Sequence, residues 1–316
     1  MSEPDAAAIQ EAAHLLRAGR LVAFPTETVY GLGADATSDA AVAALYRAKG
    51  RPAANPLIVH VPDLSAAEPF AEFDSRARTL ARTFWPGSLT LVLRQRGGRI
   101  SPLATAGLNT IAIRVPDHPI ALQLLRATAL PLAAPSANRS GKLSPTTAQH
   151  VREGLGDAVQ LVLDGGPCRV GIESTVVAMD GPTPRILRPG GIPVDEIARA
   201  LDVPVVAETT VQTLQSPGQM PSHYAPRALV RLNVREARAN EAALTFGALP
   251  MGAARMTIDL SPRGDLNEAA ASLYASLRTL DETGATSIAV APIPERGMGI
   301  AINDRLRRAA APRPEK

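Results

Sequence analysis

Residues 24–35 read FPTETVYGLGAD, and the character of the chain changes within them. The apolar lead-in of Leu21, Val22, Ala23 and Phe24 has the make-up of a short buried strand, which Pro25 ends because it has no N–H to give a ladder. Two threonines, a glutamate and a tyrosine follow before Gly31 and Gly33. Hydroxyls and backbone N–H groups thus gather at the mouth of a strand, where glycine permits close ligand approach: a pocket floor. Strand, polar turn and helix also follow one another in α/β domains that bind nothing there, so the run alone is a weak signal.

Upstream, Ile9, Ala12, Ala13 and Leu16 recur at helical spacing within residues 5–18, with Gly19 as C-cap. Downstream, Val42, Leu45 and Tyr46 share one face of a helix over 38–48, capped by Ser38 or Asp39 and stopped near Gly50. The loop AKGRPAANPLIVHV (48–61) aims Lys49 and Arg51 at one place and runs into a strand at 57–61 that carries His60. A histidine in an apolar strand is usually a hydrogen-bonded core residue. A helix over 75–84 and a turn and strand in WPGSLTLVL come next. TIAIRVP (110–116) is apolar apart from Thr110 and Arg114. An arginine in mid-strand must find an anion or a carboxylate, since burying it unpaired costs several kcal/mol. A helix at 118–127 with Pro119 in its first turn leads to LPLAAPSANRSGKLSPTT (130–147), a short strand that breaks into a polar loop. Strands at 161–163, 174–179 and 185–187 complete a first domain with a mixed twisted sheet.

SPGQMPSHYAP (216–226) holds three prolines and a glycine and reads as a linker, in which His223 and Tyr224 are unusual. Beyond it, strands in ALVRLN, ARMTIDL and SIAVAPI, a helical stretch over 235–244, and a helix over 266–280 predict a smaller α/β domain. Asp265 with Glu268 would cap that last helix as a capping-box variant. No catalytic constellation stands out there, and the tail from Arg305 reads as a helix end and a frayed basic terminus. The expected organisation is a first domain over 1–207, a linker or lid over 208–227 and a second domain over 228–316.

The length of 316 residues exceeds the ~100–200 of one domain. With 46% apolar and 20% charged residues and no apolar run of ~18, a soluble globular protein is expected, with no membrane role. The start MSEPDAAAIQ lacks the basic flank and apolar core of a signal peptide, so a cytoplasmic protein is expected. A single cysteine, Cys168, excludes an intramolecular disulfide and a cysteine metal cluster, and reads as a packed residue. The net charge is +3, and lysine occurs only at 49, 142 and 316. With a pI near 9.3, this arginine-dominated balance suits an anionic small ligand or modest RNA contact.

The polar outliers on apolar strands and their loops are Thr26, Thr28, Tyr30, Lys49, Arg51, Asn55, His60, Thr110, Arg114, Ser136, Asn138, Ser144, Ser174 and Arg188. They suggest no serine, histidine and aspartate triad, no metal-ligand spacing and no GxGxxG or GxxxxGKS phosphate loop. Such a set clamps anions. Positioning and charge neutralisation are what phosphoryl or nucleotidyl transfer to an anionic acceptor needs.

FPTETVYGLGAD, KGRPAANPLIVHV, WPGSLTLVL, TIAIRVP, APSANRSGKLSPT and GIESTVV with RPGGI, in this order, resemble the threonylcarbamoyl-adenylate synthases, the YrdC-like family. Lys49, Arg51, Ser136 and Asn138 match its KxR and SxN signature and so the expected catalytic positions. The resemblance covers residues 5–207, and the rest resembles the long form with a Rossmann-like C-terminal domain. It implies condensation of L-threonine, bicarbonate and ATP to L-threonylcarbamoyl-AMP and pyrophosphate, the first step of threonylcarbamoylation of tRNA, with a tRNA threonylcarbamoyltransferase receiving the product. By the same resemblance Thr28, His60, Arg114, the Ala134 backbone and Ser174 surround threonine. Arg51, Asn55, Thr110, Ser136, Ser144, Arg188 and Tyr224 hold ATP. Mg²⁺ is expected on the triphosphate, not on a protein metal site, and the linker is expected to close over the pocket. A double-stranded RNA-binding module and a nucleotide sensor without turnover are the competing readings.

Overall fold

The computed structural model describes residues 5–97, 99–207, 223–249 and 251–312. Among these residues the first domain runs α1 (Ala6–Arg17), β1 (Val22–Phe24), β2 (Gly31–Asp35), α2 (Asp39–Lys49), β3 (Ile58–His60), α3 (Leu64–Ala67), α4 (Ser75–Phe84), β4 (Leu89–Arg94), β5 (Thr110–Arg114), α5 (Pro119–Thr128), β6 (Leu132–Ala133), α6 (Ala148–Leu155), β7 (Leu161–Val162), β8 (Thr175–Ala178), β9 (Arg185–Arg188), α7 (Val194–Leu201) and β10 (Val206–Ala207). The second continues with β11 (Leu229–Arg231), β12 (Ala242–Thr245), β13 (Thr257–Asp259), α8 (Leu266–Glu282), β14 (Ser287–Val290) and α9 (Met298–Ala310). Residues 208–222, which include most of the expected linker, and the terminal residues 313–316 lie outside the described residues.

The first ten strands form one mixed sheet in the order β10-β9-β8-β4-β5-β3-β6-β2-β1-β7, and the last four a second in the order β11-β14-β12-β13. Every neighbouring pair in the second sheet is parallel. The α/β class, with a mixed sheet followed by a smaller parallel one, agrees with the sequence reading.

Side chains alternate across a strand, and here the two faces of the large sheet differ. Val59, Ile111, Ile113, Leu91 and Val177 point into the main core, where α2, α4 and α7 supply Val42, Leu45, Leu80 and Ile197. On the other face Ile58, Val92, Ala112, Val176, Ala178 and Leu187 form a much smaller apolar patch. α1 and α5 cover only part of that face, through Val22, Phe24, Leu132 and Ala134. The centre of the second face is therefore left for a hollow.

The second domain packs Leu273, Leu277, Leu280, Ile302 and Leu306 of its helices against Leu244, Ile288 and Val290 of its strands. The same cluster takes in Val29, Leu143 and Ile172 of the first domain, so the two domains share an apolar interior.

Several expectations are corrected. The glycines after the polar turn lie in strand β2, in a hairpin that pairs Phe24 with Gly31. Gly33 is small for packing, since a Cβ there would lie 2.9 Å from the Phe24 ring. The helix expected over 235–244 is absent and Ala242–Thr245 is strand β12, buried throughout between two parallel neighbours. A short run buried on both faces carries no periodicity to separate strand from helix. Asp265 caps α8 by accepting from the N–H groups of Asn267 and Glu268, yet Glu268 turns to Ser261 Oγ and Arg263, which leaves the capping box half made. The helix end read from Arg305 onward is the last part of α9, which runs to Ala310, and the terminus after 312 lies outside the described residues. Among the described residues no helix is long and apolar enough to cross a membrane.

Candidate active site

A hollow with about 520 Å³ of empty space, part of it open to solvent, lies over the uncovered face of the large sheet. Thr26, Thr28, Val29 and Gly31 form its floor, and Arg51, Ile58, His60, Arg114 and residues 134–136 its sides. Glu173, Ser174, Arg188, His223 and Tyr224 close it.

The floor is an ST turn. Thr26 Oγ1 donates to Val29 O at 2.6 Å and accepts from the N–H groups of Thr28 and Val29 at 3.2 Å each. The turn holds Thr28 Oγ1 where Arg114 Nη1 donates to it at 2.9 Å. β3 and β5 run parallel with His60 opposite Arg114, so one sheet register delivers both side chains to the same end of the hollow. Arg114 also donates through Nε to Gly87 O at 3.2 Å, and its Nη2 lies 2.6 Å from Glu27 Oε1. That last contact is a close, buried ion pair, which turns one edge of the guanidinium to the floor carboxylate. Glu27 is fixed by Ser88 Oγ at 3.1 Å and the Asp117 N–H at 3.0 Å. Burial pushes its carboxyl up, but Arg114 and the hydrogen bonds outweigh it and the net shift is down. Burial, with Arg114 beside it, takes the His60 imidazole down to about 3, so it is neutral at ordinary pH.

At the other end Arg51 donates through Nε to Asn55 O at 3.1 Å and through Nη2 to Pro56 O at 2.8 Å. Burial lowers its guanidinium only to about 10, so it keeps its charge. Lys49 does not border the hollow. Its ammonium donates to the carbonyls of Ser136 and Asn138, tying the end of α2 to the loop after β6. Burial first, then Arg51, holds it well below its ordinary value. Asn138 Nδ2 donates to Arg139 O at 2.8 Å and Lys142 O at 2.9 Å, while its buried Oδ1 accepts no hydrogen bond.

Arg188 donates to Ser174 O through Nε at 3.1 Å and Nη2 at 2.9 Å, and to Ser174 Oγ at 3.2 Å. Ser174 Oγ also meets Thr90 Oγ1 at 2.7 Å. The glycines after Arg188 let the two chains touch: a Cβ on Gly190 would stand 2.3 Å from Glu173 O. Glu173 accepts from Ser144 Oγ at 2.6 Å and pairs with Arg305 Nε at 2.7 Å. Burial would raise its carboxyl, yet Arg305, Arg188 and Ser144 bring it down to about 2.

Of the residues expected from sequence, Thr28, Arg51, His60, Arg114, Ala134, Ser136, Ser174, Arg188 and Tyr224 border the one hollow. Lys49, Asn55, Thr110, Asn138 and Ser144 are buried outside its lining. The Ala134 N–H is already used by Ile58 O at 3.0 Å, so its carbonyl is what remains to meet a ligand. Sequence reasoning left Glu27, Glu173 and His223 out of the site. For the two glutamates the available signal was a lone carboxylate inside PTETVYG and GIEST, each beside hydroxyl residues in an otherwise apolar setting. Among the described residues no group of three or more His, Cys, Asp or Glu could hold a metal ion.

Residues 14–190 match the family model described as "Telomere recombination", and residues 192–311 match "Threonylcarbamoyl-AMP synthase, C-terminal domain". The chain is 42% identical to the threonylcarbamoyl-AMP synthase of Bacillus subtilis, over 96% of this chain and 93% of that one. It is 41% identical to the synthase of Pyrococcus abyssi, over 96% and 94%. The crystal structure of P. abyssi Sua5 complexed with L-threonine superposes with a TM-score of 0.88 at 39% identity, covering 96% of this chain and 94% of that one. With its two matched domains in order and a hollow lined by the residues just described, the chain belongs to the two-domain threonylcarbamoyl-AMP synthase family.

Proposed function

We propose that this hollow condenses L-threonine, bicarbonate and ATP to L-threonylcarbamoyl-AMP and pyrophosphate, a nucleotidyl transfer that begins threonylcarbamoylation of tRNA. The observation that carries it is the convergence of buried Arg51, Arg114 and Arg188 with Thr28, Ser136 and Ser174 on one space. Buried guanidinium groups are costly without anions, and this reaction brings a carboxylate, a carbamate and a triphosphate together. The relatives' name and the threonine held by P. abyssi Sua5 support the choice of substrate.

The Arg114 guanidinium, which borders the hollow, suits the threonine carboxylate, with Thr28, neutral His60, the Ala134 carbonyl and Ser174 around it. Arg51, Ser136, Arg188 and Tyr224 suit the nucleotide. Asn55, Thr110 and Ser144 are buried outside the lining, where they would support it. Threonine's amine attacks the bicarbonate carbon, a C–O bond breaks and water leaves, giving a carbamate whose oxygen attacks the α-phosphorus; the bond from that phosphorus to the pyrophosphate oxygen breaks and pyrophosphate leaves with its electrons. Arg51 neutralises charge on the phosphates, and Lys49 fixes the carbonyls of Ser136 and Asn138 on the loop beside them. Asn138, buried outside the lining, holds the same loop through Nδ2, which donates to the carbonyls of Arg139 and Lys142.

The donors facing the hollow are guanidinium, hydroxyl and amide groups, with Glu173 already paired, which suits Mg²⁺ held mainly by the triphosphate. Such an ion would neutralise phosphate charge when bound. The linker's His223 and Tyr224 border the hollow, in keeping with a linker that keeps water from the labile carbamate and adenylate. Because the product is labile, a tRNA threonylcarbamoyltransferase in the same compartment, the cytoplasm, has to receive it.

Pyrophosphate release measured with each substrate omitted in turn tests the reading: release is expected only with threonine, bicarbonate and ATP together. Release without threonine or bicarbonate would sink it. A double-stranded RNA-binding module, or modest RNA contact, requires no such dependence. Truncation after residue 207 tests the closing linker, and unchanged synthesis with unchanged ATP affinity would remove that role.

A further inference from the structure

We infer that Tyr274 and Arg305 of the second domain are positioning residues for the nucleotide end of the hollow, so that this domain completes the site and is not merely tethered to it. The inference rests on the synthesis proposed above. Tyr274 lies on α8 and Arg305 on α9, at 0% and 1% exposure, and neither borders the hollow. Each touches the same two residues that do. Arg305 donates through Nε to Glu173 Oε2 at 2.7 Å, and its guanidinium lies 5.1 Å over the Tyr224 ring. Tyr274 OH lies 2.9 Å and 3.1 Å from the two Glu173 oxygens, and its ring centroid is 5.7 Å from that of Tyr224.

Two walls of the hollow are held in this way. Glu173 precedes Ser174, whose carbonyl and hydroxyl receive Arg188, so whatever fixes the carboxylate also fixes the backbone that orients that guanidinium. Tyr224 has φ 59°, a left-handed conformation uncommon for a tyrosine, which persists only where surroundings impose it. The Tyr274 ring and the Arg305 guanidinium supply that constraint. A contact needed only for adhesion would be served by apolar groups such as Val29, Leu143 and Ile172, which already join the domains. A buried ion pair is a poor adhesive, and Arg305 Nη2 is buried without a hydrogen-bond partner. Geometry, more than stability, accounts for this pair.

The test uses the full chain in three forms: wild type, Tyr274→Phe, and the double variant Arg305→Met with Glu173→Gln, which removes both charges of the pair while Asp304 keeps Arg308. Binding of a non-hydrolysable ATP analogue is measured by calorimetry, KM for ATP and for threonine by pyrophosphate release, and Tm by thermal unfolding. Tyr274→Phe is expected to weaken the analogue about 5- to 10-fold, the scale of one ordinary hydrogen bond, with a smaller rise in threonine KM through Ser174 and Tm near wild type. The double variant is expected to fold and to weaken the analogue by more than about 10-fold. ATP constants unchanged in the folded variants, or losses that track Tm alone, overturn the inference. If wild type binds the analogue but releases no pyrophosphate, the proposed reaction fails and calorimetry still decides the positioning role.

Discussion

Two buried carboxylates face arginines on opposite sides of the hollow, and they differ in what they join. Glu27 and Arg114 belong to one domain, where a mid-strand arginine meets a carboxylate on the floor turn. Glu173 and Arg305 stand 132 residues apart and pair across the two domains. The first pair places a donor that a substrate carboxylate can share. The second holds a wall of the hollow from behind, so that wall depends on how the domains meet.

The largest expected effect separates the two ends. Arg114→Ala should lower kcat/KM for threonine about 10³-fold, from a loss of about 4 kcal/mol, and leave KM for ATP within a few-fold. Equal changes for both substrates would erase the distinction. Acid comes next. The Glu173 carboxyl sits at about 2 when folded against an ordinary 4.5, so its contribution is full above pH 4.5 and is lost as pH falls towards 2. Urea unfolding at pH 5 and near pH 2 should show this loss, and Glu173→Gln should flatten it; an unflattened slope would assign the acid sensitivity to Glu27 or elsewhere. Gly171 tests the meeting of the domains directly, because its φ is +75° and a Cβ there would stand 2.4 Å from Ala271 Cα on α8. Gly171→Ala should cost about 1–3 kcal/mol and raise KM for ATP more than KM for threonine. The smallest effect is a reporter for the other end. Burial, with Glu27 nearby, pushes the Cys168 thiol up to about 12, so a thiol reagent should label the native protein slowly. Arg114→Ala should slow that labelling further, because the guanidinium is what holds the thiol's pKa down, whereas Tyr274→Phe should leave it unchanged.

The contrast extends to what the sequence reveals. Arg114 stands out because an arginine in TIAIRVP violates its strand, and Lys49 with Arg51 because a Gly and Pro interrupted loop concentrates them. The mixed sheet follows from short strands and short connections. Glu173 and Arg305 leave no such trace: nothing local couples residues that far apart, and Arg305 lies in RLRR, which reads as a basic surface although that residue is fully buried. Lys49 shows the limit even of a legible motif, since spacing brought it near Arg51 while the fold spends its ammonium on two backbone carbonyls. The 242–245 strand reads as part of a helix for a related reason, because small apolar residues suit a helix or a fully buried strand until the neighbours are known.

The position of β14 between β11 and β12 has a consequence for the order in which the molecule can be built. A ribosome must deliver residues 229–290 before the second sheet can pair its inner strands, and α9 with Arg305 emerges later still. The first domain is thus made well before the support behind its hollow, and a nascent chain should gain its full grip on nucleotide only when the last helix has docked.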